Sequence, residues 1–210
     1  MPPPESVVCY NVRLEAAGMA GGQRLRIIGG SARGRTLRSM PGGRVRPTPA
    51  ALRLALANML RDSLAGAAVL DVCAGIGSVG LELLSQGAEW AVFLEKDGRA
   101  ADLIRDNAAG TGLADRAEVW TTSAERGLER LAEDGQSFDF IFVDPPYDLG
   151  LALKLLERLA ARPALLAPAG RICVQHTRRE ALPETLGGLV RQRERRAGDT
   201  ILSFYGAQDA

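Results

Sequence analysis

Only one histidine and three cysteines occur in this chain of 210 residues. Cys9, Cys73 and Cys173 are odd in number and have no metal-ligand spacing, which argues against a disulfide framework and a zinc site, so no bound metal is expected. Long apolar runs are missing too. No stretch is long enough to cross a bilayer as a helix, and the opening Met-Pro-Pro-Pro-Glu-Ser lacks the basic-then-apolar layout of a signal peptide. A cytoplasmic protein without membrane association is therefore expected. The most telling scarcity is of acids. Between Ala16 and Leu60 there is no Asp or Glu, yet that stretch holds Arg24, Arg26, Arg33, Arg35, Arg38, Arg44, Arg46 and Arg53. The formal net charge of +1 merely averages this segment with an acid-rich remainder. Such asymmetry predicts an N-terminal face for a polyanion, since the planar fork of arginine matches phosphate bidentately.

The length suffices for one good core with a small appendage, and three regions can be drawn. Residues 1–22, with three consecutive prolines and no sustained periodicity, read as a mobile leader, in which Met19 offers a second start. Residues 23–66 read as a basic extension. In it, Arg24-Leu-Arg-Ile-Ile-Gly-Gly-Ser-Ala-Arg-Gly-Arg-Thr-Leu-Arg38 predicts a small β-hairpin with arginines along both arms. Thr48 is expected to cap a helix that begins at Pro49 and runs to about Leu64, with Leu52, Leu56, Met59 and Leu60 forming its apolar stripe.

From residue 67 strands and helices alternate. Strands are expected at Ala68–Cys73, Ala91–Glu95, Glu118–Thr122, Phe138–Val143 and Gly170–His176, with helices after each of the first four. Leu189–Arg195 and Thr200–Tyr205 then read as an antiparallel pair joined through Ala197-Gly-Asp. The fold class is α/β, a doubly wound, mostly parallel, Rossmann-like sheet of seven strands closed by a C-terminal antiparallel hairpin.

The stretch Phe138-Asp-Phe-Ile-Phe-Val-Asp-Pro-Pro-Tyr147 organises the rest. A nearly all-apolar strand ends at Asp144, and Pro145 and Pro146 force the chain out of the sheet as a stiff turn. A carboxylate, a free carbonyl and the ring of Tyr147 are thereby presented at the carboxyl edge, where open α/β sheets bind ligands. A planar amine could stack on the ring while Asp144 and the carbonyl of Pro145 accept hydrogen bonds from its NH2 group. A second group forms around Asp71, which precedes the loop Gly75-Ile-Gly77-Ser-Val-Gly80 and a helix N-terminus. Glu95, at the tip of the next strand, suits the two hydroxyls of an adenosine ribose. The loop is also a literal GxGxxG, which leaves a nicotinamide-dependent oxidoreductase open. Asp71 favours a cofactor bearing an ammonium or sulfonium charge over a pyrophosphate.

These motifs resemble those of class I S-adenosylmethionine-dependent methyltransferases that act on exocyclic amines. With Arg26-Ile-Ile-Gly-Gly-Ser-Ala-Arg-Gly-Arg-Thr-Leu37 and Arg46-Pro-Thr48, residues 23 to 205 resemble the bacterial family that methylates guanine N2 in 16S ribosomal RNA. The resemblance implies that Asp71, Gly75, Gly77 and Glu95 hold S-adenosyl-L-methionine, with Ser123 and Ala124 at the adenine. It implies that Asp144, Pro145, Pro146 and Tyr147 form the catalytic pocket for the guanine. Arg24, Arg26, Arg33, Arg35, Arg38 and Arg46 would grip RNA, and residues 67–210 would form the methyltransferase domain. The implied partner is 16S rRNA or the assembling 30S subunit, and a monomer is the default. After Thr48 the chain departs from the family pattern, with Pro49-Ala-Ala-Leu in place of an acid and further charges, and Ser123 stands where many relatives carry Asp or Asn.

Rival readings are an adenine-N6 or protein-glutamine methyltransferase, whose related motifs usually begin with Asn, and a catalytically silent RNA-binding assembly factor. His176, Trp90 and Trp120 are read as structural residues and stay outside the site.

Overall fold

The computed structural model describes residues 25–40, 48–146 and 150–208, except for the side chain of Ala197. The expected leader, Arg24, Arg44, Arg46 and Tyr147 lie outside the described residues.

Among the described residues the helix α1 (Ala50–Leu60) precedes the sheet and ends in a 3-10 turn at Arg61–Ser63. Then come β1 (Ala68–Val72), α2 (Ser78–Ser85), β2 (Trp90–Glu95), α3 (Gly98–Thr111), β3 (Ala117–Thr121), α4 (Ala124–Glu133), β4 (Phe138–Val143) and α5 (Leu151–Ala160). The C-terminal part holds β5 (Leu166–Thr177), β6 (Thr185–Leu186), β7 (Leu189–Ala197) and β8 (Thr200–Ala207). The strand order is β3-β2-β1-β4-β5-β8-β7-β6, with β1 to β5 parallel and the last three antiparallel. The sheet therefore has eight strands among the described residues, one more than expected. The extra strand is the two-residue β6, too short to leave any periodicity in the sequence.

Strand alternation splits the core cleanly in two. Val69, Phe93, Phe140, Phe142, Cys173, Leu202 and Phe204 pack with α1, α2 and α3, whereas Leu70, Val72, Val92, Leu94, Ile141, Val143, Ile172 and Val174 pack with α4 and α5. Because helices cover both faces, the central strands carry apolar residues on both faces instead of at every second position, with Asp71 in β1 and Asp139 in β4 as exceptions. The chain winds outward from β1 through β2 to β3 and then returns to place β4 on the other flank of β1. That reversal opens a crevice above the carboxyl ends of β1 and β4, the usual ligand position in such sheets.

The N-terminal extension is docked on α2 and α3. Among the described residues its two arms are joined by a single isolated bridge, Arg26 to Thr36, flanked by Leu37 N–H donating to Leu25 O at 2.8 Å. Ile27, Ala32 and Leu37 enter the core, while Ser31 N–H donates to Ser85 O at 2.8 Å. Gly30, at φ 76°, allows this approach, since a Cβ there would lie 1.7 Å from the Ser85 carbonyl oxygen. A buried ion pair completes the joint. Arg53 Nη1 lies 3.1 Å from Glu82 Oε2, both side chains are 1% exposed, and Arg53 Nη2 donates to Arg26 O at 3.0 Å. Glu82 also accepts from the amides of Ile28 and Gly29, each at 2.9 Å. Arg53, counted above within a basic face for a polyanion, is thus a buried structural cation. Its pKa is lowered by desolvation, with Glu82 opposing that shift.

Candidate active site at the carboxyl edge of the sheet

Three carboxylates converge on the crevice. Asp71 lies in β1 one residue before its end, Glu95 closes β2, and Asp144 follows β4 directly. Register holds them together: Val72 pairs with Leu94 on one side and with Val143 on the other, so Glu95 and Asp144 emerge level with each other on either flank of β1.

Asp71 is almost wholly buried, and its Oδ2 accepts from Gly80 N–H at 2.9 Å. Gly80 has no Cβ for a steric reason, because one would stand 2.3 Å from Phe93 Cε1 and 3.1 Å from Asp71 Oδ2. The loop between them turns through left-handed conformations at Cys73 (φ 62°), Gly75 (φ 59°) and Gly77 (φ 75°). Gly77 is the N-cap of α2 and offers no capping side chain, so the helix start remains bare backbone. Glu95 Oε2 accepts from Gly75 N–H at 2.8 Å and Oε1 from Asp97 N–H at 2.8 Å. These bonds use about two of roughly four acceptor sites on the carboxylate, leaving capacity for a ligand's hydroxyls.

Burial pushes Asp71 up to about 8, with Asp144 and Glu95 adding to the rise, while Gly80 N–H opposes it. Asp144 is pushed up to about 7 by burial, against the hydrogen bond that Thr48 donates. Among the described residues none of the three acids has an ion-pair partner within 4 Å. The unpaired carboxylates favour a cation-bearing, hydroxyl-bearing ligand and disfavour a pyrophosphate, while the bare start of α2 can receive a single anionic group such as a carboxylate. These residues fit an S-adenosylmethionine-type cofactor better than a dinucleotide.

Asp144 N–H donates to Val72 O at 3.2 Å, which fixes the backbone at the strand exit, and Asp144 Oδ2 accepts from Thr48 Oγ1 at 3.3 Å. Thr48 therefore does not cap α1. The N-cap is Pro49, which forms no side-chain cap bond, and the Thr48 hydroxyl is turned to Asp144. Pro145 is buried and Pro146 exposed beside it. At the tip of β3, Thr122 N–H donates to Glu95 O at 2.9 Å, which places the following Ser123 and Ala124 beside Glu95. The Ser123 side chain caps α4 by accepting from Arg126 N–H at 3.4 Å, and Ala124 opens that helix. At this position the chain offers a ligand backbone and a small side chain.

Of the candidate RNA-binding arginines, Arg26, Arg33 and Arg35 are exposed and have no ion pair among the described residues, whereas Arg38 pairs with Asp106 at 3.1 Å. Two residues of this region carried no sequence signal for their roles. Thr48 matched a helix-cap pattern, and Asn107 matched none. Asn107 Oδ1 accepts from Arg38 N–H at 2.7 Å, and its Nδ2 donates to Arg38 O and to Ile76 O, each at 3.1 Å. One buried amide thereby ties the extension to the glycine loop. His176 is structural. Its Nδ1 faces the carbonyls of Thr177 (3.1 Å) and Glu180 (2.9 Å) and so carries the proton, leaving Nε2 to accept from Ser203 Oγ at 2.9 Å.

The family profile described as "Conserved hypothetical protein 95" matches residues 25–206. The chain belongs to this family. It is 35% identical over 181 residues to the Bacillus subtilis protein named "Putative rRNA methyltransferase YlbH", covering 86% of this chain and 98% of that one. It is 33% identical over 186 residues to ribosomal RNA small subunit methyltransferase D of Escherichia coli, covering 89% and 91% respectively. Among solved structures, one described as "Putative methyltransferase yhhF from Escherichia coli" superposes with a TM-score of 0.77 at 33% identity, over 89% of this chain and 99% of that one. These family members span nearly their whole length on this chain, so the extension and the sheet are both shared with them.

Proposed function

We propose that this protein transfers a methyl group from S-adenosyl-L-methionine to the exocyclic N2 amine of a guanine in 16S ribosomal RNA, on naked rRNA or within the assembling 30S subunit. The observation that carries the reading is the convergence of Asp71, Glu95 and Asp144 on one crevice, with a glycine loop and helix start between the first two. The relatives named for ribosomal RNA methylation supply the substrate class. Asp144 before two prolines, in place of Asn, and the basic extension favour guanine in RNA.

When bound, the cofactor supplies an electrophilic methyl group on a sulfonium. The residues do the rest. Asp71 and the bare start of α2 receive the charged end, Glu95 accepts from ribose hydroxyls, and Ser123 with Ala124 borders the adenine. The lone pair of a guanine amine is delocalised into its ring. Asp144 and the Pro145 carbonyl, by accepting from the two amine protons, favour the pyramidal form in which that lone pair is free to attack. Positioning and electrostatics thus carry most of the rate, and the proton released after transfer passes to Asp144 or water. Tyr147 stacks on the splayed-out base, which offsets on the order of 1–3 kcal/mol of unstacking. Residues 23–66 form the RNA-gripping extension, with Arg24, Arg26, Arg33, Arg35, Arg38 and Arg46 as its contacts, and residues 67–210 form the methyltransferase domain. The protein works as a monomer in the cytoplasm.

The test is retention of labelled S-adenosylmethionine against NAD by equilibrium dialysis, followed by transfer of label to 30S particles from cells lacking the protein. Retention of the first alone and label in the RNA are expected. Retention of NAD, or label confined to ribosomal protein, would overturn the proposal.

A further inference from the structure

We propose that β7 presents a second RNA-contact surface, on the β5–β8–β7 flank of the catalytic crevice, across the sheet from the arms that carry Arg26, Arg33 and Arg35; this rests on the RNA methyltransferase reading above. Arg193 pairs in register with Phe204, and Arg195 with Leu202. Directly paired residues of an antiparallel ladder share a face, and Leu202 and Phe204 belong to the core beneath α1, α2 and α3. Arg193 and Arg195 therefore stand on that same face, about two strand residues or roughly 7 Å apart along β7. Both are exposed, and neither has an ion pair among the described residues. The acid between them is turned away. Glu194 pairs with Ser203 on the other face and is held by Arg191 at 3.5 Å and Arg196 at 2.9 Å. Between the bulge at Gln192 and Ala197, the two side chains on this face of the strand are thus both exposed cations.

Its position suits the reaction. Val143 is level with Val174, Val174 with Ser203 and Ser203 with Glu194, so Asp144 and Arg195, each the next residue, lie at the same height on the sheet. Three interstrand spacings separate them, about 14 Å. A nucleotide splayed out into the crevice needs the backbone held on both sides of it, and such phosphate contacts position without reading sequence. Arg26, Arg33 and Arg35 sit on the element docked against α2 and α3, on one side. Arg193 and Arg195 sit on the other.

The rival role is edge protection, because β6 covers only Leu189 and Val190 and leaves the rest of β7 as an outer edge. The two roles separate experimentally. The full chain and its Arg193→Ala/Arg195→Ala variant are compared for binding to 16S rRNA and to 30S particles between 50 and 200 mM salt. The slope of log K against log salt should fall by about 1.4 to 1.8 in the variant, from roughly 0.7 to 0.9 per lost phosphate contact. KM for RNA should rise, with kcat at saturating RNA and cofactor affinity unchanged, and Arg193→Lys/Arg195→Lys should restore the slope. An unchanged slope overturns the proposal, and an unchanged slope with new self-association assigns the arginines to edge protection. The slope comparison needs no turnover: binding without methyl transfer by the unsubstituted chain overturns the methyltransferase reading alone, and failure to bind either RNA form overturns both.

Discussion

The hydroxyl of Thr48 donates to Oδ2 of Asp144 at 3.3 Å, so a residue of the N-terminal extension completes the first polar shell of the carboxylate that ends β4. This bond occupies one oxygen of Asp144, and among the described residues no side-chain donor is bonded to the other, which can accept from an amine. It also opposes the upward shift that burial imposes on this group. The extension thereby reaches the carboxylate that ends β4.

Thr48→Val keeps the shape and removes the donor. Turnover should fall about tenfold, in line with a charge-assisted bond of about 1.5 kcal/mol, with cofactor affinity unchanged. The acid limb of the pH–rate profile, set by ionisation of Asp144 at about 7, should move to higher pH, and Thr48→Ser should restore it. An unmoved profile would make Thr48 a packing residue only.

Asp144→Ala should abolish methyl transfer while cofactor binding persists, because Glu95 and the glycine loop are bonded independently of it. Dialysis and turnover on the same preparation decide this, and normal turnover would sink the mechanism.

The raised values of Asp71 and Asp144, about 8 and about 7 against an ordinary 3.8, mean that the folded protein holds these protons more tightly than the unfolded chain. Stability from the two groups is therefore fully present below the ordinary value and is lost as pH rises through about 7 and then about 8. The melting temperature of the free protein should fall across that window, and Asp71→Asn should flatten the fall. Cofactor affinity should run the opposite way, rising with pH as the carboxylates ionise. Parallel trends in the two measurements would contradict this electrostatic picture.

Removing one partner of the buried Arg53–Glu82 pair strands the other. Arg53→Ala should cost about 3–5 kcal/mol in urea denaturation, and the double change to Met and Leu should cost less than the sum of the two single losses. Gly80→Ala tests the neighbouring contact. A Cβ 2.3 Å from the Phe93 ring should cost about 1–3 kcal/mol and displace Asp71, weakening cofactor binding.

Much of this was legible in the sequence because strand tips announce themselves: Asp71, Glu95 and Asp144 each stand at or just beside the end of an apolar run, and that pattern locates them on one sheet edge. The helix α4 (Ala124–Glu133) follows the third strand as expected, since a serine cap and an amphipathic period agree there. The failures have a common cause. Thr48 looked like a cap, and its partner lies 96 residues away; Arg53 looked like surface charge, and Glu82 lies 29 residues away. Local patterns cannot report which distant group meets a hydroxyl or neutralises a cation. The strand β5 (Leu166–Thr177) began earlier than expected because Pro168 and Gly170 obscure its alternation and its register shifts opposite Phe138 and Phe140.

The central claim is tested most directly by identifying the product. Ribosomal RNA and 30S particles from cells lacking the protein are incubated with it and labelled S-adenosylmethionine, and the RNA is digested to nucleosides. N2-methylguanosine at a single position is the predicted result. Label in another nucleoside, such as N6-methyladenosine, or no incorporation into either form of the RNA despite tight cofactor binding, would contradict the assignment of Asp144 to a guanine amine.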